Sequence, residues 1–334
     1  MKMMKKVKIE EAVGLPLGAD VTQIIPKKYK GPLFKTGHVI GKEDLDMLRM
    51  IGKEYVWIFE KKEGFIHQDE ASLRIANSLI DESLYTLGPT EGWANIRAKE
   101  VGIFLGDKKT VEKINGFDIT ILTTVGNFSL VLENQPVAKC KITSLEIKEE
   151  LLDKIESVGK ELRKENKSVL RVVKPLFKKF GVIVTGSEVY NGLVEDAATG
   201  KVKEKVKTYG AQVIFNKIVP DDKNEIKKAI EEAVKRGVDM VILTGGMGPD
   251  PDDATKLGVK EAGGKILKYG VPVNPATMSL IASIGDIPLL GISAGFISFK
   301  KSFLDFILPR ILVKEEITKK EIASWGLGGM LRQD

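Results

Sequence analysis

The chain has 334 residues, 43% of them hydrophobic and 29% charged, a composition typical of a globular protein with at least two domains. No apolar run approaches the roughly 18 residues of a membrane helix. The basic start MKMMKKVKIEEAVG lacks the apolar core and cleavage site of a signal peptide. These features predict a cytoplasmic protein without a membrane segment.

Charge and cysteine content disfavour several kinds of site. The net charge of +6 is spread through alternating Lys and Glu, as in KKAIEEAVKR, which indicates solvated helix faces and does not imply a nucleic-acid partner. Cys140 is the only cysteine, so an internal disulfide is excluded. With His38 and His67 as the only histidines, neither a zinc site nor a Ser-His-Asp triad is expected, and both rings are interpreted as surface or packing groups.

The amino-terminal region, residues 1–173, is expected to be a smaller α+β domain. A compact helix is predicted over 42–51, and the alternating apolar pattern of 117–147 predicts a meander of strands. The charged stretch 148–167 has helical spacing, and we interpret it as the element that carries the chain into the second domain. The basic segment RVVKPLFKKFG is then an exposed linker, with the boundary near Lys174.

From residue 174 to 334, strand-like and helix-like periods alternate. The predicted strands are GVIVTG, AQVIFNKIV, VDMVILTGG and IPLLGIS. Helices are predicted for KVKEKVKTYG, PDDKNEIKKAIEEAVKRG, ATKLGVKEAG, the region around NPATMSLIASIG, and one long segment, FISFKKSFLDFILPRIL. This alternation predicts an α/β domain with a doubly wound, mostly parallel sheet and helices on both faces.

Three predicted strand ends carry unusual residues, in TGSEVYNG, VILTGGMGPDPDDATKLG and ISAGFIS. Ligands of doubly wound sheets bind outside the carboxyl ends of the strands, and glycine backbones can approach phosphate oxygens closely. A glycine after a strand is also an ordinary turn, but three such ends in one sheet favour a phosphate cradle without a Walker lysine. The expected ligand-binding residues are Thr185, Gly186, Ser187, Glu188, Thr244, Gly245, Gly246, Met247, Gly248, Thr255, Ser293, Ala294 and Gly295.

The second of these loops is also acidic. Asp250, Asp252 and Asp253 would repel phosphate unless a divalent cation such as Mg²⁺ intervened, although an aspartate before a helix also serves as an N-cap. In VPDDKNEI, Asp222 has capping-box spacing to the glutamate three residues on, which leaves Asp221 for solvent or for the site. We expect Asp221, Asp250 and Asp253 to be metal ligands.

These residues carry a family resemblance. TGGMGPDPDDAT and IVPDD, with TGSEVYNG upstream, resemble the molybdenum cofactor biosynthesis domain shared by molybdopterin adenylyltransferases and molybdopterin molybdenumtransferases. The resemblance extends from about Phe180 to the carboxyl end. In the amino-terminal half, segments such as DEASLRIA and EGWANIRA are similar to the molybdenumtransferases, and a counterpart of their carboxy-terminal β-barrel is not expected here.

The resemblance implies that the glycine loops hold molybdopterin or its adenylylated form, and that Asp221 and Asp253 act in magnesium binding and catalysis. Two positions depart from the family pattern. Ile292 to Gly295 reads ISAG where Leu-Pro-Gly is common, and Asp252 stands where adenylyltransferases often have a basic residue.

Three functions remain open at this point. The chain is expected to act in molybdenum cofactor biosynthesis by adenylyl or molybdate transfer, or else to bind, store or sense the cofactor without turnover. The second glycine loop is also similar to that of the competence-damage-inducible proteins, which implies a metal-dependent pyrophosphatase acting on ADP-ribose-like nucleotides. A homodimer built through the amino-terminal half is further expected from the resemblance and from the apolar run VWIF at 56–59, which alternatively forms that domain's core.

Overall fold

The computed structural model describes residues 4–60, 63–163, 168–248 and 254–333. The chain forms two compact units, residues 1–173 and 174–334. The described helices of the first unit are α1 (Asp44–Met50), α2 (Gln68–Leu79), α3 (Lys108–Asn115) and α4 (Glu149–Arg163). Its described strands are β1 (Met4–Lys8), β2 (Val21–Ile25), β3 (Tyr29–Phe34), β4 (Tyr55–Phe59), β5 (Phe65–His67), β6 (Leu84–Thr90), β7 (Trp93–Ala98), β8 (Gly102–Gly106), β9 (Thr120–Thr124), β10 (Leu130–Val131), β11 (Pro136–Ile142), β12 (Glu146–Lys148) and β13 (Leu170–Val173).

The strands of the first unit form small antiparallel sheets. One has the order β6-β7-β11-β9, a second has the order β10-β8-β13, and the strand pairs β1-β4, β2-β3 and β5-β12 stand beside them. The simple meander predicted over 117–147 is wrong, because β10 leaves its sequence neighbours and pairs with β8. Hydrophobic alternation shows that a segment is a strand but does not specify its partner.

Helix α4 is a core element of the first unit, and its interpretation as the connection between domains is wrong. Leu152 and Ile155 of this helix are fully buried in the same apolar cluster as Ile75 of α2. The chain continues through β13, which pairs with β8, before it enters the second unit. Part of the expected basic linker is therefore a sheet strand.

The second unit is built on one six-stranded sheet. Its strands are β14 (Lys179–Thr185), β15 (Gln212–Val219), β16 (Met240–Thr244), β17 (Lys265–Tyr269), β18 (Leu280–Ile284) and β19 (Ile287–Ile292). Its described helices are α5 (Ser187–Tyr190), α6 (Ala197–Lys207), α7 (Lys223–Lys235), α8 (Thr255–Glu261), α9 (Phe303–Leu312) and α10 (Lys319–Ser324). In the order β15-β14-β16-β19-β18-β17, the first four strands are parallel and the last two antiparallel.

Helices cover both faces of this sheet. Alternate residues such as Ile183 and Leu243 pack with Ile226 and Ile230 of α7 in one apolar cluster. Their sequence neighbours on the strands are also buried, and α6 and α9 contact strands β14 and β19. The α/β fold with a mostly parallel sheet is thus as the sequence predicts.

Two helices of the second unit were predicted wrongly. The segment around NPATMSLIASIG contains strand β18, which lies between β17 and β19, and Ala276 ahead of it has a φ of 78° that no helix contains. The predicted long last helix is divided, because Ser302 caps α9 through a capping box with Asp305, and a separate 3-10 turn, Ala294–Ser298, precedes it. Strand β17 was not predicted.

Candidate functional site

The parallel strands of the second unit end at one level. Val184 of β14 is paired with Thr244 of β16, and Thr244 with Ile292 of β19. On the other side of β14, Thr185 is paired with Val219 of β15. The loops that follow these strands therefore leave the same carboxyl edge of the sheet, as the sequence predicts.

Three buried threonines support the second glycine loop. The hydroxyls of Thr185 and Thr255 lie 3.1 Å apart. Thr185 also donates to the Thr244 carbonyl at 3.4 Å, and Thr255 donates to the Gly245 carbonyl at 3.1 Å. Since Thr185 and Thr255 are 3% and 0% exposed, their buried hydroxyls fix the backbone at the start of this loop, where Thr244 is itself 1% exposed.

The backbone of this loop requires glycine at two consecutive positions. Gly245 has a φ of 95°, and a Cβ there would lie 1.9 Å from the Thr185 carbonyl oxygen. Gly246 has a φ of 55°, and its Cβ would lie 2.6 Å from the Thr255 hydroxyl. Both residues are thus needed for a left-handed turn that packs directly on the neighbouring strand end.

This turn presents backbone amides at the edge. Within the described ranges, the N–H groups of Gly246 and Met247 donate no hydrogen bond to protein atoms. The Met247 side chain, by contrast, is buried in the core against Gly291 of β19. Only the backbone of Met247 is therefore placed to meet a ligand, and successive free amides are the usual means of binding an anion.

Asp221 joins the first and second loops. Its Oδ2 accepts a hydrogen bond from the Ser187 amide at 3.1 Å, and its Oδ1 lies 3.0 Å from the place of a Cβ on Gly246. Its neighbour Asp222 caps α7, accepting from the amides of Asn224 and Glu225 at 2.9 and 3.0 Å. The two adjacent carboxylates thus serve different purposes, a division that capping-box spacing had indicated.

The first and third loops differ in how they are held. In the first, the Glu188 carbonyl accepts from the amides of Leu193 and Val194, which closes a turn. In the third, Ala294 and Gly295 are exposed, and Lys201 of α6 donates to the carbonyls of Ile297 and Phe299 at 2.8 and 2.5 Å. Sequence reasoning missed this lysine, because nothing local marks a side chain that reaches a loop 96 to 98 residues away.

Several expected ligands are outside the described structure. Asp250, Asp252 and Asp253 lie beyond the described residues, so their metal-binding and capping roles stay predictions. Among residues 4–60, 63–163, 168–248 and 254–333, no group of three or more His, Cys, Asp and Glu side chains could hold a metal ion. No helix in the same ranges is both long and apolar enough to cross a membrane.

The histidines and the cysteine have structural surroundings. His67 Nδ1 caps α2 by accepting from the Asp69 amide, and its Nε2 contacts the Gly18 carbonyl at 2.8 Å. His38 Nε2 pairs with Asp44 at 2.7 Å. Cys140 is fully buried, and burial raises the pKa of its thiol to about 12, which makes it unreactive at neutral pH.

A mostly parallel sheet with glycine turns at its carboxyl edge defines the second unit as an α/β ligand-binding domain. Residues 181–312 match the family model of a probable molybdopterin binding domain. The second unit therefore carries a domain of that family, which supports molybdopterin as its class of ligand. In the first unit, residues 6–60 match a domain family of unknown function.

Curated relatives share part of this chain. A CinA-like protein of Fusobacterium nucleatum is 29% identical over 184 residues, 45% of this chain and 45% of the relative. Molybdopterin adenylyltransferase of Pyrococcus furiosus is 39% identical over 92 residues, 28% of this chain and 54% of the relative. This chain thus spans about half the length of these relatives.

Solved structures also resemble part of the chain. The tungsten cofactor synthesizing protein MoaB from Pyrococcus furiosus is 26% identical, with a TM-score of 0.34, over 41% of this chain and 94% of that protein. MoaB from Thermus thermophilus is 20% identical, with a TM-score of 0.33, over 40% of this chain and 91% of that protein.

Proposed function

We propose that the second unit binds molybdopterin or adenylylated molybdopterin and that the protein acts in molybdenum cofactor biosynthesis. The observation that carries this proposal is the left-handed turn at Gly245 and Gly246 at the carboxyl edge, where the Gly246 and Met247 amides donate to no described protein atom, in a domain of the molybdopterin-binding family. The 39% identity to an adenylyltransferase over 92 residues supports the same assignment.

In this proposal the three loops divide the ligand between them. The amides of Gly246 and Met247 hold the terminal phosphate or adenylate, and the first and third loops flank the rest of the molecule. Asp221, fixed by the Ser187 amide, faces the same turn. Transfer then depends on positioning and on electrostatic stabilisation, and no covalent protein nucleophile is required.

Magnesium is the cation that we propose for this edge. Carboxylate and carbonyl oxygens are its preferred ligands, and the described part of the edge offers the Asp221 carboxylate. Asp250 and Asp253 would complete the set. When bound, the ion would neutralise phosphate charge, while Asp221 would hold it and the turn amides would orient the group in transfer.

A nucleotide pyrophosphatase is the second candidate. Its support is the resemblance of the second glycine loop to that of the competence-damage-inducible proteins. The same amides and carboxylates would then hold the diphosphate of an ADP-ribose-like substrate. Non-catalytic storage or sensing of the cofactor uses the same contacts and differs only in the absence of turnover.

Direct binding and turnover measurements test these candidates. The full chain is titrated with molybdopterin by fluorescence and, in separate reactions with and without Mg²⁺, is incubated with molybdopterin plus ATP, with adenylylated molybdopterin plus molybdate, and with ADP-ribose. Tight molybdopterin binding with magnesium-dependent product in either pterin reaction is expected. Binding without product would assign storage or sensing. Cleavage of ADP-ribose without pterin affinity would overturn the proposal in favour of the pyrophosphatase.

A further inference from the structure

Tyr269 contacts both described ends of the second glycine loop. It is the last residue of β17, and its hydroxyl donates to the Gly248 carbonyl at 3.0 Å. The ammonium of Lys256, the second residue of α8, lies 4.9 Å from the centroid of the same ring. A single side chain thus contacts the chain before and after the acidic segment of this loop.

The ring of Tyr269 is held by its own surroundings. It packs against the apolar cluster that contains Met247 and Leu280. Its backbone is paired with Leu280 of β18, and Leu280 in turn is paired with Gly291 of β19. The hydroxyl is therefore carried on a half-buried ring anchored to the core of the sheet.

The position of this hydroxyl bears on how the loop meets an anion. The Gly248 carbonyl belongs to the peptide unit formed with Pro249, which has no N–H, so rotation of this unit can turn only an oxygen toward the ligand. A carbonyl oxygen facing phosphate repels it, whereas an N–H attracts it. By holding the Gly248 carbonyl on the β17 side, Tyr269 limits rotation at the end of the turn whose Gly246 and Met247 amides are free.

We propose that Tyr269 is a positioning residue that gives the second glycine loop its preference for the phosphate end of the ligand. This inference rests on the proposed function, since it assumes a phosphorylated pterin. Tyr269 acts through the backbone of Gly248 and need not contact the ligand.

The test compares two probes and two variants of the full chain. Affinities are measured for molybdopterin and for dephosphorylated molybdopterin, and their ratio reports recognition of the phosphate. Tyr269→Phe removes the hydroxyl and keeps the ring. Tyr209→Phe is the matched control, because Tyr209 follows α6 and precedes β15, at the opposite end of the strands from the glycine loops.

Wild type is expected to prefer the phosphorylated probe, and Tyr269→Phe should reduce that preference about three- to tenfold, the contribution of one hydrogen bond. Affinity for the dephosphorylated probe and the melting temperature should stay near wild type, as should every property of Tyr209→Phe. An unchanged ratio in Tyr269→Phe, an equal loss for both probes, or a wild-type ratio of one would overturn the inference. Absence of binding to either probe by wild type would instead refute the proposed function.

Discussion

Gly245 has less room for a side chain than Gly186, Gly246 or Gly295 of the candidate site. A side chain at its φ of 95° would strain the backbone. An added Cβ would also lie 1.9 Å from the Thr185 carbonyl oxygen, which is a clash with backbone. We expect Gly245→Ala to destabilise the protein by more than about 2 kcal/mol, because neither the loop backbone nor the backbone of Thr185 can shift at low cost. Thermal or urea denaturation measures the loss.

Gly295 supplies the control for this substitution. It belongs to the third loop, and a Cβ there would meet no atom within 4 Å. Gly295→Ala should therefore leave the melting temperature near that of wild type. Equal stability of Gly245→Ala and Gly295→Ala would contradict the tight packing of the second loop on Thr185.

Asp221 and Asp222 form a natural pair for separating ligand contact from capping. Asp221→Asn keeps an acceptor for the Ser187 amide but removes a charge, so we expect ligand affinity or turnover to fall by about tenfold or more while stability barely changes. Asp222→Asn should be silent in both assays, because asparagine caps helices about as well as aspartate. Magnesium-dependent binding and melting curves measure both effects.

A double variant tests whether Asp253 shares a metal ion with Asp221. If it shares an ion with Asp221, the double variant Asp221→Asn with Asp253→Asn should lose little more activity than either single variant, because residues serving one ion act as a unit. Strictly additive losses would argue for independent roles. Wild-type magnesium dependence in all three variants would remove the metal assignment.

At the scale of elements, helices α2 and α4 are joined by a charge cluster around the buried carboxylate of Glu156. Glu156 is 6% exposed and accepts hydrogen bonds from Arg74 Nε and Lys160 Nζ, each at 2.6 Å. Burial by itself would raise the pKa of this carboxyl, but the bonds from Arg74 and Lys160 outweigh it and hold the pKa below the ordinary value of 4.5. The charged form is therefore favoured by folding.

This lowered pKa predicts how stability depends on pH. The contribution of Glu156 is fully present above pH 4.5 and is lost as pH falls through the lower folded-state pKa. Glu156→Gln should cost about 1 to 3 kcal/mol at neutral pH, and the gap from wild type should shrink in acid. Denaturation curves from pH 7 to pH 3 measure it, and a gap that does not vary with pH would contradict the assignment.

At the scale of the whole molecule, we predict a homodimer formed through the first unit. Val56 and Ile58 face its core at 4% exposure each, whereas Trp57 on the alternate face of β4 is 39% exposed. Trp57→Lys should therefore weaken association while the fold survives. Light scattering over a wide concentration range checks this, and a wild-type monomer throughout would refute it.

Much of the secondary structure of the second unit could be predicted from local sequence patterns. Helix α7 was predictable because its apolar residues recur at helical spacing and Asp222 caps its start. The loops after β14 and β16 were predictable because a glycine directly follows each buried strand, and the loop after β19 because three small residues, Ser293 to Gly295, follow it. The helix predicted around β18 is wrong because a short apolar run is compatible with either a helix or a strand until the neighbouring elements are known.

The sequence by itself determined the α/β class of the second unit, the glycine turns at one edge of its sheet, and the carboxylate left over beside the cap of α7. Only the tertiary structure decided which groups meet there: the Thr185–Thr255 contact, the Ser187 amide on Asp221, and the Tyr269 hydroxyl on the Gly248 carbonyl. Local patterns record propensity and burial, whereas these contacts join residues 21 to 70 positions apart. Strand order and register bring such residues together, and no short stretch of sequence encodes either.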